Sequence, residues 1–206
     1  MAQTLVIHPQ NPESRLIRQA AQCLLDGGVI VYPTDSTYAF ACHMGDKNAL
    51  ERIRRIRQLN DKHNLTLMCA DLSAIATYAK VSNSAYRLLK AHTPGPYTFI
   101  LDATAEVPRR LMHPKRKTIG LRVPAHPVSR ALLDAVGEPL MSTSLIMPGD
   151  DIPLTEIYEI EEILDRQVDL IIDSGSCGLE PSTVIDLVDG VPVIVRIGLG
   201  DPSPFQ

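Results

Sequence analysis

The sequence predicts an α/β protein, a single domain spanning residues 1–206 with a twisted mixed sheet and flanking helices. Three observations carry that prediction. Short apolar, β-branched runs alternate along the chain with stretches of helical apolar periodicity. No linker, repeat or low-complexity segment interrupts the alternation. Towards the C-terminus three strand-like runs follow one another across short turns, so part of the sheet is expected to be antiparallel.

Each element has its own signal. Asn11-Pro12 opens a helix with apolar positions Leu16, Ile17, Ala20, Ala21, Leu24 and Leu25, and Gly27-Gly28 ends it as a C-cap. Val29–Tyr32 reads as a short buried strand, and PTDSTYAF (33–40) as a loop leaving its end. Asp46 can cap a second helix, with Leu50, Ile53 and Ile56 inward and the arginines of ERIRRIR outward. Leu65–Cys69 is a strand; Asp71 and Ser82 (or Asn83) each begin a further helix. The stiff turn Thr93-Pro94-Gly95-Pro96 leads into the strand Tyr97–Leu101. Thr118–Val123 is a strand closed by Pro124, His126–Val136 a helix, and Leu140–Ser144 a strand ending in hydroxyls. An acidic helix around Ile157–Leu164 precedes the runs Val168–Asp173, Thr183–Val188 and Pro192–Arg196.

Composition narrows the function. Of 206 residues, 45% are hydrophobic and 21% charged, which excludes disordered, collagen-like and coiled-coil chains. No apolar run reaches the roughly 18 residues of a membrane span, and MAQTLVIHPQ lacks signal-peptide character. A cytoplasmic protein with no membrane partner is expected. Cys23, Cys42, Cys69 and Cys177 form no CxxC pair, so no zinc site or disulfide framework is suggested. No histidine spacing suggests a metal site either. The net charge of −4 hides a division: residues 150–206 hold 13 acids and 2 bases, the rest 11 acids and 18 bases. The bases bunch at Arg52, Arg54, Arg55, Arg57 and Lys62, and at Arg109, Arg110, Lys115, Arg116, Lys117 and Arg122. Such density suits an anionic partner, or two solvated faces.

In open α/β sheets ligands collect at strand ends. Hydroxyls and arginines stand at several of these: Thr34, Ser36 and Thr37; Thr118 and Arg122; Ser142, Thr143 and Ser144; Ser182 and Thr183; and Arg196. Both groups hold phosphate and carboxylate oxygens. Taken singly, most of these Ser and Thr residues read as turn and cap residues. There is no P-loop, no GxGxxG after a strand, no HExxH and no GxSxG nucleophile elbow. Spacing alone supports an anion-binding α/β protein. Arg122, on an otherwise apolar strand, needs an anionic partner.

PTDSTY after VIVY, PGPYTF, LRVPAHP, STS after Pro139-Leu140, STVID and the closing VIVRIG occur in this order. That series resembles the YrdC/YciO family over roughly Gly28 to Gly198, and RQLNDKHNLTLMC and MSTSLIMPG are most similar to its YciO branch. The resemblance implies a YrdC-like fold with a concave basic face. It also implies threonylcarbamoyl-AMP synthesis from L-threonine, bicarbonate and ATP, with Mg²⁺ arriving on ATP, pyrophosphate released, and the acyl group passed to tRNA. Chemically this is adenylyl transfer to a carbamate, which positioning and charge stabilisation can accelerate.

Carried over residue by residue, the resemblance implies that Ser36 binds threonine through its hydroxyl and Arg122 holds the threonine carboxylate. It puts Thr118, Ser182 and Arg196 on the nucleotide and Ser142 and Ser144 in the family's SxN stretch, with Thr34 beside Ser36. Arg57 aligns with the lysine of the family's KxRP element. Leu59, Met68 and Ile146 depart from the pattern, standing where the family has an arginine, a histidine and an asparagine; His63 replaces an asparagine. Each lost charge-assisted contact is worth about 1.5–3 kcal/mol, so weak catalysis or another ligand is expected. The alternative is a binder of double-stranded or structured RNA, tRNA or rRNA included, gripping phosphates through Arg52, Arg54, Arg55, Lys62, Arg109, Arg110, Lys115, Arg116 and Lys117. With 4% aromatic residues and no Trp, a stacking platform for single strands is not expected. Protein partners in tRNA modification are a further implication.

Overall fold

The computed structural model describes every residue except 61, 62 and 64. The first half of the chain runs β1 (Gln3–Val6), α1 (Ser14–Leu25), β2 (Ile30–Pro33), β3 (Tyr38–His43), α2 (Lys47–Arg57), β4 (Thr66–Met68), α3 (Leu72–Tyr78) and α4 (Asn83–His92). The second half runs β5 (Tyr97–Asp102), β6 (Thr118–Arg122), α5 (Pro127–Val136), β7 (Leu140–Ser144), α6 (Ile157–Leu164), β8 (Leu170–Asp173), β9 (Thr183–Asp186) and β10 (Val193–Arg196).

The helices begin where local chemistry satisfies their first N–H groups. Asp46 Oδ1 accepts from the Ala49 N–H at 2.8 Å, Asp71 Oδ1 from Ala74 at 2.9 Å, and Ser82 Oγ from Ala85 at 3.2 Å. His126 Nδ1 accepts from the Val128 N–H at 3.2 Å, with Pro127 in the first turn.

All ten strands form one mixed sheet in the order β1-β8-β2-β3-β7-β4-β6-β5-β9-β10. The β1–β8, β2–β8, β4–β6 and β5–β9 pairs are parallel; the others are antiparallel. The late run of three strands therefore divides. β9 and β10 form the expected antiparallel pair, but β8 inserts between β1 and β2 at the other end of the sheet. Two strands lie outside the sequence reading. β1 is a four-residue edge strand with one buried side chain, Leu5, and gives little pattern. β3 begins inside PTDSTYAF, where its first five residues are buried on both faces, so no polar alternation marks it.

The two faces of the sheet are covered unequally. On one, Leu50, Ile53, Ile75, Leu89 and Ile160 from α2, α3, α4 and α6 meet Val31, Phe40, Leu67, Phe99, Leu121 and Met141. On the other, α1 and α5 place Ile17, Ala20, Leu24, Leu132 and Leu133 against Ile30, Tyr32, Ala41, Leu170 and Ile172. That second apolar layer stops at Met68 and Leu140 and takes nothing from β5, β6 or β9. Among the described residues, no helix covers the β5, β6 and β9 part of that face.

Candidate functional site

The helix-free half-face holds a cavity of about 460 Å³, the size of a small-molecule site. Its floor is the sheet itself. Because strand side chains alternate between faces, Thr66 and Met68 of β4, Gly120 and Arg122 of β6, Thr98 and Ile100 of β5 and Ser142 and Ser144 of β7 all line it. Thr34, Thr37 and Ala39 form one wall; Ser182, Val184, Val195 and Arg196 form another, with His63 nearby. The expected strand-end residues Arg122, Ser144, Ser182 and Arg196 meet in this one cavity, and residues at alternate positions further along the strands, such as Thr98, Gly120 and Ser142, extend its floor.

Arg122 is 6% exposed. Its guanidinium donates to Asp35 Oδ1 at 2.5 Å and to Ser36 Oγ at 2.9 Å. The anionic partner that a buried arginine requires is thus supplied within the chain, by a carboxylate that sequence reasoning missed. Arg122 Nε and Asp35 Oδ2 are buried without a hydrogen-bond partner among the described residues. Thr34 Oγ1 donates to the Thr37 carbonyl at 2.6 Å and accepts from the Ser36 and Thr37 N–H groups at 3.1 Å, so its hydroxyl closes the loop before β3.

Arg196 stands exposed at the rim. Its Nε and a terminal nitrogen donate to the Ser182 carbonyl at 3.1 and 2.7 Å, and the same nitrogen reaches Ser182 Oγ at 3.3 Å. Ser182 Oγ also bonds Thr98 Oγ1 at 2.7 Å. Ser142 Oγ lies 2.8 Å from the Tyr32 hydroxyl and donates to the Phe40 carbonyl. Burial pushes the Tyr32 hydroxyl up to about 12, so it keeps its proton. Burial first, then the charges of Arg57 and Arg196, hold His63 below the ordinary histidine value; it is neutral at pH 7.

Three predicted residues lie outside the lining. Arg57 reaches β7 from the end of α2, donating to Thr143 Oγ1 at 3.1 Å and to the Ser144 carbonyl, and so braces the wall from behind. Ser36 meets Arg122 rather than the open space. Thr118, expected at the nucleotide, is buried at the far end of β6, four residues from Arg122, and is not among the lining residues. Of the departures, Met68 is in the floor, in register with Arg122, while Leu59 packs on the core and neither it nor Ile146 lines the cavity. Arg57 and Arg196 have no carboxylate partner among the described residues, and Arg122 is neutralised by Asp35, so the site keeps positive charge for an anion.

None of the described residues predicted for RNA lines the cavity. Arg52 pairs with Asp169 at 2.7 Å, Arg54 with Glu51 at 3.2 Å, and Arg116 with Asp186 at 2.6 Å. Arg54 also donates to the Arg110 carbonyl, joining the two basic clusters, and Arg110 donates to the Gly45 carbonyl. The Lys117 ammonium donates to the Pro114 carbonyl; Arg55, Arg109 and Lys115 are exposed, and Lys62 lies outside the described residues.

The chain is an α/β protein with an uncovered sheet face that carries arginines and hydroxyls. Residues 22–198 match the family model for Sua5, YciO and YrdC, described as "Telomere recombination". The chain belongs to this family. It is 58% identical to YciO of Escherichia coli K12 over 205 residues, all of both chains. It superposes on the crystal structure of E. coli YciO with a TM-score of 0.97, again over all of both chains. It is 36% identical to the threonylcarbamoyl-AMP synthase of Chromobacterium violaceum over 185 residues, 88% of this chain and 94% of that one. The P. abyssi Sua5 structure complexed with L-threonine matches with a TM-score of 0.87 at 28% identity, over 95% of this chain and 57% of that one.

Proposed function

We propose that the chain is a nucleotidyltransferase of the threonylcarbamoyl-AMP synthase type, taking L-threonine, bicarbonate and ATP. The observation that carries this reading is the single cavity on which Arg122, Ser144, Ser182 and Arg196 converge. The named activity of the C. violaceum relative and the threonine held by P. abyssi Sua5 support it. In this reading Arg122, clamped by Asp35 and Ser36, receives the threonine carboxylate on its remaining edge, and Arg196 and Ser144 receive phosphate oxygens. A carbamate oxygen attacks the α-phosphorus, the bond to the β-phosphate oxygen breaks, and pyrophosphate leaves with the electron pair. No side-chain nucleophile is needed; alignment and charge neutralisation lower the barrier.

The described residues contain no group of three metal-ligating side chains, and none of the described carboxylates lines the cavity. A protein-held Mg²⁺ cage does not fit this lining, and no step is derived through one; Mg²⁺ would enter on the ATP phosphates. Transfer of the acyl group to tRNA, in the cytoplasm, completes the reading; no helix among the described residues is long and apolar enough to cross a membrane. With Met68 in the floor, turnover is expected to be slower than that of a family synthase.

Purified protein incubated with ATP, labelled bicarbonate and threonine should form threonylcarbamoyl-adenylate and pyrophosphate. If neither product forms while a synthase control is active, the enzymatic reading is wrong.

A further inference from the structure

Eight hydroxyl residues line the cavity, and five are already committed: those of Thr34, Thr98, Ser142, Thr143 and Ser182 bond within the protein. Thr37, Thr66 and Ser144 have no side-chain hydrogen bond among the described residues. Thr66 is the one of these at the centre of the floor. On β4 its register partners are Ser142 on one side and Gly120 on the other. A Cβ at Gly120 would stand 3.1 Å from Thr66 Oγ1, so the glycine keeps open the space over that hydroxyl.

The fold does not ask for a hydroxyl here. The flanking residues Leu65, just before β4, and Leu67, within it, are 3% and 0% exposed and obey the core pattern. At a central-strand position a valine would match threonine in shape without leaving a hydroxyl unpaired. Thr66 is half-buried and lines the cavity, so its hydroxyl is available to a ligand there. Arg122 lies two residues beyond Gly120 on β6, one side-chain row away, about 7 Å along the sheet.

We propose that Thr66 is a specificity-determining residue, its hydroxyl bonding a carbonyl or phosphoryl oxygen of an acyl-adenylate whose carboxylate end rests on Arg122. This rests on the function proposed above and adds the residue that reads the middle of the ligand.

Calorimetric titration of the full chain with ATP, AMP and L-threonine, together with thermal melts, tests it. Thr66→Val should melt at or above the wild-type temperature while binding ATP or AMP about three- to tenfold more weakly. Thr66→Ser should keep most of the affinity. Wild-type affinity in Thr66→Val would overturn the role of Thr66 and leave the site reading intact. If the wild type binds none of the three compounds while a synthase control does, both fall. Should Thr66→Val not fold, Gly120→Ala decides: its methyl group blocks the approach to Oγ1, so unchanged affinity would count against the proposal.

Discussion

Arg122 and Asp35 form the buried ion pair on which the cavity depends, with side chains 7% and 13% exposed. Asp35→Asn leaves a guanidinium in a low-dielectric site without its countercharge, and is expected to cost about 3–5 kcal/mol, read from urea denaturation. Arg196 should behave in the opposite way. It is exposed and among the described residues bonds only Ser182, so Arg196→Ala should hardly change the urea midpoint yet weaken ATP binding at least about tenfold in a calorimetric titration. A matching loss of stability would make Arg196 a structural residue. At this scale the sequence disclosed the need of Arg122 for an anion but not its source. Asp35 lies 87 positions away in a segment read as a loop, and only the packing of β3, β7, β4 and β6 brings the two together. Thr34, expected in the binding site, lines the cavity, and its hydroxyl also closes the loop before β3.

Among the elements, the helices were the more legible because their signals are local. Asp46, Asp71 and Ser82 cap as their spacing requires. Asp46→Ala should lower stability by about 1 kcal/mol in thermal or urea unfolding and leave ligand affinity alone. Strand order was illegible, since β8 could join β9 or β1 with equal local satisfaction and the choice is made by contacts far apart in sequence. The segment between β8 and β9 illustrates this. It lies so close to the loop before β3 that a Cβ at Gly178 would stand 2.5 Å from the Ser36 carbonyl. Gly178→Ala must displace one loop from the other, at about 1–3 kcal/mol. It should also weaken threonine binding, because Ser36 holds Arg122; a variant that melts lower but binds threonine normally would separate the two effects.

For the molecule as a whole, burial sets a window of pH. Burial pushes the thiols of Cys23 and Cys177 up to about 11, and those of Cys42 and Cys69 up to about 12, from an ordinary 9.0. Above pH 9 the unfolded chain releases thiol protons that the folded chain keeps, so stability falls with rising pH, by up to about 1.4 kcal/mol per pH unit for each thiol. His63 and His126 are held below 6.5, chiefly by burial. As pH drops through that value the unfolded chain takes up protons first, and stability falls again. The urea midpoint should therefore be higher at pH 7.5 than at pH 5.5 or pH 10; a maximum at pH 10 would contradict this account. The bare half of the sheet has a consequence of another kind. Each of its strands is written in two interleaved alphabets, one read by the hydrophobic interior and the other by whatever settles on top. Leu65 and Leu67 can stay fixed while Thr66 and Met68 are respelled, so the repertoire of guests can drift without disturbing the architecture that receives them.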